Sequence, residues 1–266
     1  MISFEIFQAI KNSIVLLFLT KFSIDDLRTT EIKDFEAYIF FGTCALFFIL
    51  EAFVFGIEEY FLISVLIFNL TAIALYFLGQ WGAGDSVILM SLGFILRFSI
   101  VYSLLNILLL FSIGIAYSFL YSLIFSILKR KNYSIYAIAP LAFLIFSVFY
   151  FFKDFIFSII LFLAFLYSSL PFMLKVQKDF VRKIPTKKLK IGDVLLSFKI
   201  WRGITKEELE KIRKEKKFVY IKEGIRYAPT FLIYFTLILL SQFYKIEVTS
   251  MQLSLEQFLQ TLQNLF

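Results

Sequence analysis

Histidine is absent from this 266-residue chain, and cysteine occurs once. The first absence removes serine–histidine triads, cysteine–histidine catalysis and the usual zinc or haem ligation. The second leaves Cys44 without an intramolecular disulfide partner, in an apolar stretch where it reads as a small packing residue. No P-loop, dinucleotide-binding glycine fingerprint or paired Cys-x-x-Cys motif occurs. No metal and no cofactor is therefore expected. The first apolar segment has no small-residue cleavage site and acidic residues follow it, so it is not expected to be a cleaved signal. The net charge is +7, but its distribution along the chain points away from nucleic acid.

What the chain has in abundance is apolar residues, 60% of the total with 37 phenylalanines, arranged in continuous blocks. A helix needs about 20 apolar residues to cross a bilayer, and several blocks reach that length, whereas a soluble protein of this size shows amphipathic interruption. The expected fold is an all-α polytopic membrane protein, a bundle of about six to eight transmembrane helices with a small cytoplasmic α+β subdomain. Spans are expected at about 4–22, 37–56, 60–79, 85–101, 104–128, 134–152, 155–175 and 227–244. The fourth is short, and only Tyr102 and Ser103 separate it from the fifth, so a re-entrant hairpin is an alternative there. The pair at 134–175 is rich in phenylalanine and carries no distinctive polar residue.

Basic residues mark cytoplasmic loops. Lys129-Arg130-Lys131 opens one loop, and residues 175–226 hold 17 basic side chains against seven acidic ones, while the 57–59 loop carries Glu58 and Glu59 and no base. With eight spans these agree on one orientation in the cell membrane: N-terminus outside, with 23–36, 80–84, 129–133 and 175–226 inside. The expected domains are a transmembrane bundle over 1–175, a cytoplasmic basic subdomain over 176–226, a final span over 227–244 and a tail over 245–266. In the subdomain, Lys187 to Asp193 reads as strand and turn. Thr205 followed by Glu208 is a capping-box signal for a helix through about Lys214, and Phe218 to Ile221 reads as a short strand. Its basic surface fits anionic lipid headgroups, so membrane lipids are expected partners. In the tail, Leu253, Leu255, Phe258, Leu259, Leu262 and Phe266 fall roughly on one face, as in an interfacial helix.

Against this background, two carboxylates stand out. Asp26 lies at the exit of the first apolar stretch, and Asp85 ends Gly82-Ala83-Gly84-Asp85 at the entrance of another. Charge beside hydrocarbon is costly, about 2.5–3.5 kcal/mol at a helix centre and less near an interface. Two such carboxylates are the minimum equipment for aspartyl-protease chemistry, in which one is ionised and takes a proton from water while the other polarises the scissile carbonyl. Each motif alone has a plainer reading. Asp25 to Asp34 puts four acidic and two basic residues into ten positions, as a solvated juxtamembrane loop does. Two glycines and an aspartate also suit a turn and a helix cap. Together they share one face of the membrane, and Gly82 and Gly84 allow backbone, or an extended substrate strand, to approach the carboxylate.

Asp-Leu-Arg-x-x-x-Ile-x-Asp after the first span, from Asp26 to Asp34, followed by Gly-x-Gly-Asp from Gly82 to Asp85, resembles the GxGD membrane aspartyl proteases, and more narrowly the archaeal type IV prepilin and preflagellin (prearchaellin) peptidases. Arg202 to Leu209 and Glu223 to Phe231 are similar to that family's soluble segment and last span. The resemblance covers about residues 10–128 and 195–244, and the 134–175 segment looks like an addition to a six-span core. It implies that Asp26 and Asp85 are the catalytic pair. Asp25 is the rival for the first position, and Asp26 is preferred because Leu27 and Arg28 follow it directly, as in the family. The implied activity is removal of the N-terminal leader from class III signal peptides of archaellin or pilin precursors. Bacterial relatives often add a cysteine-rich insert and N-methyltransferase activity, and this chain lacks the cysteines.

Leaders of such substrates are typically basic just before the cut, so Asp25, Glu31, Asp34 and Glu36 are candidate leader contacts. A rival class is a proton- or cation-coupled transporter, or a non-catalytic pilus-assembly membrane protein. Against transport, no convincing internal inverted repeat is evident, and no buried charge is expected in mid-span apart from Glu51 and Arg97, both near expected outer ends.

Overall fold

The computed structural model describes residues 3–29, 32–56, 59–96, 99–150, 155–197, 203–222 and 224–243. Glu31, Glu58, Arg97, Arg202, Glu223 and the tail from 245 onward lie outside the described residues. Nine helices and three strands are described: α1 Phe4–Thr29, α2 Asp34–Phe55, α3 Glu59–Phe77, α4 Ala83–Ile95, α5 Ile100–Leu128, α6 Ile138–Tyr150, α7 Phe155–Asp179, β1 Val181–Pro185, β2 Val194–Leu195, α8 Lys206–Glu215, β3 Phe218–Lys222 and α9 Ala228–Phe243. The chain is an α-helical membrane protein. Among the described residues, α1, α2, α5 and α7 are long and apolar enough to cross a membrane, and α3, α4, α6 and α9 are apolar but shorter. Their large apolar side chains point outward as lipid requires. Phe53 is 87% exposed and Tyr167 81%, exposures that a monomeric water-soluble surface rarely collects in such number.

Helix α1 departs from the expected span and loop. It does not end near residue 22 but continues to Thr29, so the acidic motif begins on helix. Its buried residues Val15, Leu19, Phe22, Ser23 and Asp26 recur at three- and four-residue spacing, one stripe that runs unbroken into the motif. The i,i+4 pair Lys21–Asp25 and the bond from Thr29 Oγ1 to the Asp25 carbonyl support the same two turns. Asp34 and Glu36 sit in the first turn of α2, where the helix dipole favours negative charge. Gly56, in the left-handed region at φ 77°, closes its other end.

The chain divides into two compact units. The first holds residues 1–115 and 179–235. Within it α4 packs along both α2 and α3. At the crossing with α3, a Cβ on Gly93 would stand 2.7 Å from Phe68 Cβ, so only glycine permits the approach. With 13 residues, α4 is about 20 Å long, short of the roughly 30 Å hydrocarbon core. The expected fourth span at 85–101 is therefore reduced to a short helix held between two neighbours.

The same unit contains a three-stranded antiparallel sheet in the order β1-β3-β2. Val181 pairs with Lys222 and Pro185 with Phe218, while Leu195 pairs with Ile221. Leu209 of α8 packs with Leu189, Leu195, Ile204 and Val219 beneath the sheet. The capping box of Thr205 and Glu208 starts α8 and β3 covers 218–222, as the sequence indicates. The segment from Lys187 to Asp193 is not a strand. Asp193 Oδ2 accepts from the Lys190 N–H at 2.7 Å, and Thr186 Oγ1 donates to the Lys216 carbonyl at 2.9 Å. The first of these is a local bond that displaces a ladder, and the second ties the segment to residues 30 positions away. The first strand instead lies upstream, two residues after α7.

The second unit holds residues 116–178 and 236 onward. Helices α6 and α7 are stapled by reciprocal bonds: Ser158 Oγ donates to the Ser147 carbonyl at 2.8 Å, and Ser147 Oγ to the Ser158 carbonyl at 3.1 Å. Small hydroxyl residues at a helix contact serve this purpose where water is scarce. Phe119 stacks edge-on against Phe165 and Phe172.

Candidate functional site

Within the first unit the carboxylates of Asp26 and Asp85 lie close enough to interact electrostatically. Three pieces of backbone bring them there. The last two turns of α1 carry Asp26 on the buried stripe, 7% exposed. The turn before α4 and its first turn carry Asp85. Gly82 is the N-cap of α4, with φ −72° and ψ 167°, and accepts from both the N–H and the hydroxyl of Ser86. Asp85 is thus three positions inside the helix rather than its cap. Its half-buried carboxylate reaches back toward the Gly82 N–H, in the manner of an N3 acidic side chain.

The third piece is the entry to α9. The Ala228 N–H donates to Asp26 Oδ2 at 2.9 Å, and the Tyr227 N–H is directed at the same carboxylate. The Arg226 guanidinium is an attractive charge near Asp26, and its Nε is buried with no hydrogen-bond partner among the described residues. Tyr227 is in turn an electrostatic neighbour of Asp85. Both carboxylates therefore sit at helix N-termini, Asp85 on its own helix and Asp26 on another, where free N–H groups favour negative charge.

Packing holds these pieces in register. Trp81, next to Gly82, lies 5.2 Å from the Tyr227 ring and 5.5 Å from Phe231 of α9. A Cβ on Gly84 would stand 3.1 Å from Ile32 Cβ, so the glycine of one motif seats the isoleucine of the other. On α5, a Cβ on Gly114 would fall 1.8 Å from the Tyr227 hydroxyl oxygen and 2.7 Å from Cζ.

Asp25 occupies a different face of α1 from Asp26. Lys21 pairs with it at 2.8 Å and also with Glu36, which takes a second, longer contact of 3.5 Å from Lys33. Of the candidate leader contacts, Asp25 and Glu36 thus already have cationic partners, Asp34 is exposed, and Glu31 lies outside the described residues. Sequence reasoning assigned no role to Arg226, Tyr227 or Ala228, although Glu223 to Phe231 carried part of the resemblance. Tyr-Ala-Pro ahead of an apolar run was a legible helix start, but nothing local told which acid it would meet.

A second polar cluster lies further toward the start of α1. Lys11, 1% exposed, pairs with Glu51 of α2 at 3.0 Å, and Gln8 donates to the same carboxylate. Lys11 Nζ also approaches the Ile95 carbonyl at the end of α4, at 3.5 Å. Among the described residues no group of three or more His, Cys, Asp or Glu could hold a metal ion. Comparisons of the chain with protein-family models, curated proteins and solved structures find no match.

Proposed function

We propose that the chain is an aspartic-type membrane endopeptidase that removes the N-terminal leader from class III signal peptides of archaellin or pilin precursors. The observation that carries the reading is that Asp26 of α1 and Asp85 of α4 lie within electrostatic reach of each other, with the N–H at the start of α9 bonded to Asp26. The motif resemblance supplies the substrate class. Like charges held close do not both ionise readily, so the pair suits a shared proton.

In the proposed reaction the ionised carboxylate takes a proton from water, whose oxygen bonds to the scissile carbonyl carbon. The protonated partner gives its proton to the carbonyl oxygen. The tetrahedral diol then collapses: the C–N bond breaks, the amine leaves with the proton held by the first carboxyl, and the diol proton returns to the second. Leader and helix end enter from the cytoplasmic side in this reading, with Asp34 the exposed acid near a basic leader. Gly82 and Gly84 leave room for an extended substrate strand.

The test is cleavage of a panel of pilin-like precursors in membranes by wild type, Asp26→Asn, Asp25→Asn and Asp85→Asn. Loss of product in the Asp26 and Asp85 variants, with Asp25→Asn active, is expected, and the panel names the substrate. Full activity of Asp85→Asn would sink the mechanism. The buried Lys11–Glu51 pair favours one second reading, an ion-coupled transporter, which predicts ion-dependent flux in vesicles and no shortened precursor.

A further inference from the structure

The outer face of the β1-β3-β2 sheet is built unlike a solvated one. Antiparallel strands that cover a core on one side normally turn polar residues outward. Residues opposite each other in the register share a face. Val219 and Leu195 point to the core beneath α8, so Val181, Lys183, Pro185, Phe218, Tyr220 and Lys222 form the other side. Phe218 is 54% exposed and Tyr220 51%, and Lys183 Nζ lies over both rings, at 5.1 and 5.9 Å. No carboxylate belongs to this face. Exposed Lys187, Lys188, Lys216 and Lys217 flank its Pro185–Phe218 end, where the Thr186 N–H bonds the Lys217 carbonyl.

Charge is distributed with the same asymmetry. Of the five acidic residues between Val181 and Lys222, four (Glu207, Glu208, Glu210 and Glu215) lie on α8, which covers the opposite side of the sheet. Exposed aromatic rings amid lysines, with the acids turned away, match the interfacial zone of a bilayer, where amphipathic rings sit at headgroup level and lysine amines reach phosphate. Chain reach allows it: β1 starts two residues after apolar helix α7, and only residues 223–227 separate β3 from apolar helix α9. Six steps of extended chain span at most about 20 Å.

We infer that this sheet face docks on the anionic headgroups of the membrane that holds the helices, with Phe218 and Tyr220 inserted at the interface and Lys183, Lys187, Lys216 and Lys217 on the phosphates. The inference does not depend on the peptidase reading. It assigns the basic module an orientation, sheet toward lipid and α8 toward water.

The experiment uses the full chain in nanodiscs of phosphatidylcholine alone or mixed with phosphatidylglycerol. A nitroxide is attached at Phe218→Cys, at Tyr220→Cys and, as the aqueous reference, at Lys211→Cys on α8. Unsubstituted protein controls for labelling of buried Cys44. Oxygen and nickel-chelate relaxation report depth. With anionic lipid the labels at 218 and 220 are expected to be oxygen-accessible and shielded from nickel, and the label at 211 the reverse. Lys216→Glu and Lys217→Glu should release them, lowering the docked-to-free ratio roughly fivefold for each lysine lost. Labels at 218 and 220 as nickel-accessible as at 211 in both lipids would overturn the inference. Shielding unchanged by lipid charge would overturn it too, and cross-linking between copies through position 220 would assign the face to a second copy.

Discussion

Ala228 donates its backbone N–H to the carboxylate of Asp26 from 202 residues away, at 2.9 Å. That one bond ties the end of the first described helix to the start of the last described one. It answers one of the N–H groups that every helix leaves unpaired at its start, and it fixes the direction of a carboxylate that would otherwise rotate. Asp85, held near Gly82 by its own helix, lies within electrostatic reach of Asp26.

Replacing Ala228 by proline isolates this bond. Proline is accepted at the first position of a helix, where its only local loss is the N–H. A hydrogen bond to a charged group is worth about 1.5–3 kcal/mol, so Ala228→Pro should lower kcat/KM for leader cleavage roughly 10- to 150-fold. Initial-rate cleavage beside a thermal unfolding scan checks it. Wild-type rates in the folded variant would remove Ala228 from the machinery.

Gly114 sets the position of Tyr227. A methyl there would collide with the phenol ring, and Tyr227 can yield only by leaving Trp81 and the neighbourhood of Asp85. Gly114→Ala gains about 1 kcal/mol of helix propensity, against about 1–3 kcal/mol for overpacking. The expected outcome is a small change in melting temperature, a shift in tryptophan emission from Trp81, and cleavage reduced about tenfold or more. Unchanged emission together with unchanged cleavage would show that the ring is not held as described.

Removing one member of the Lys11–Glu51 pair should damage the fold itself. Both groups are buried, at 1% and 4% side-chain exposure, and an orphaned buried charge costs about 3–5 kcal/mol. Lys11→Met should therefore lower thermal stability sharply in detergent. Lys11→Met with Glu51→Met should recover most of the loss, because an apolar pair of similar volume leaves no stranded charge. Failure of the double variant to recover would point to a role beyond pairing.

Several elements were legible because their determinants are local. Apolar blocks mark helices, Thr205 and Glu208 mark the start of α8, and the β-branched and aromatic run Phe218 to Ile221 marks β3. Asp26 and Asp25 differ for a reason that is also local in part: successive helical residues are turned by about 100°, so only one of the two continues the stripe of Leu19, Phe22 and Ser23. Reading that face required knowing that α1 runs on to Thr29, and the polar composition of the motif argued for a loop instead. Of the strand and turn read in Lys187 to Asp193, the turn is present at 191–192, and the strand is replaced by a tight helical turn over Thr186–Lys188 and by the Asp193 side chain, which takes the Lys190 N–H locally.

Composition alone marks the chain as a helical membrane protein, since burial of long apolar blocks depends on little else. The sequence also puts two acids, Asp26 and the glycine-flanked Asp85, at the edges of apolar segments. The fold alone brings those acids within electrostatic reach of each other, sets the N-terminus of α9 against one of them, leaves α4 too short to span by itself, and pairs Lys11 with Glu51. Apart from the length of α4, each of these joins segments far apart in the chain. Their energy comes from desolvated charge and close packing, which depend on what lies across the gap and not on which residues stand next to one another in sequence.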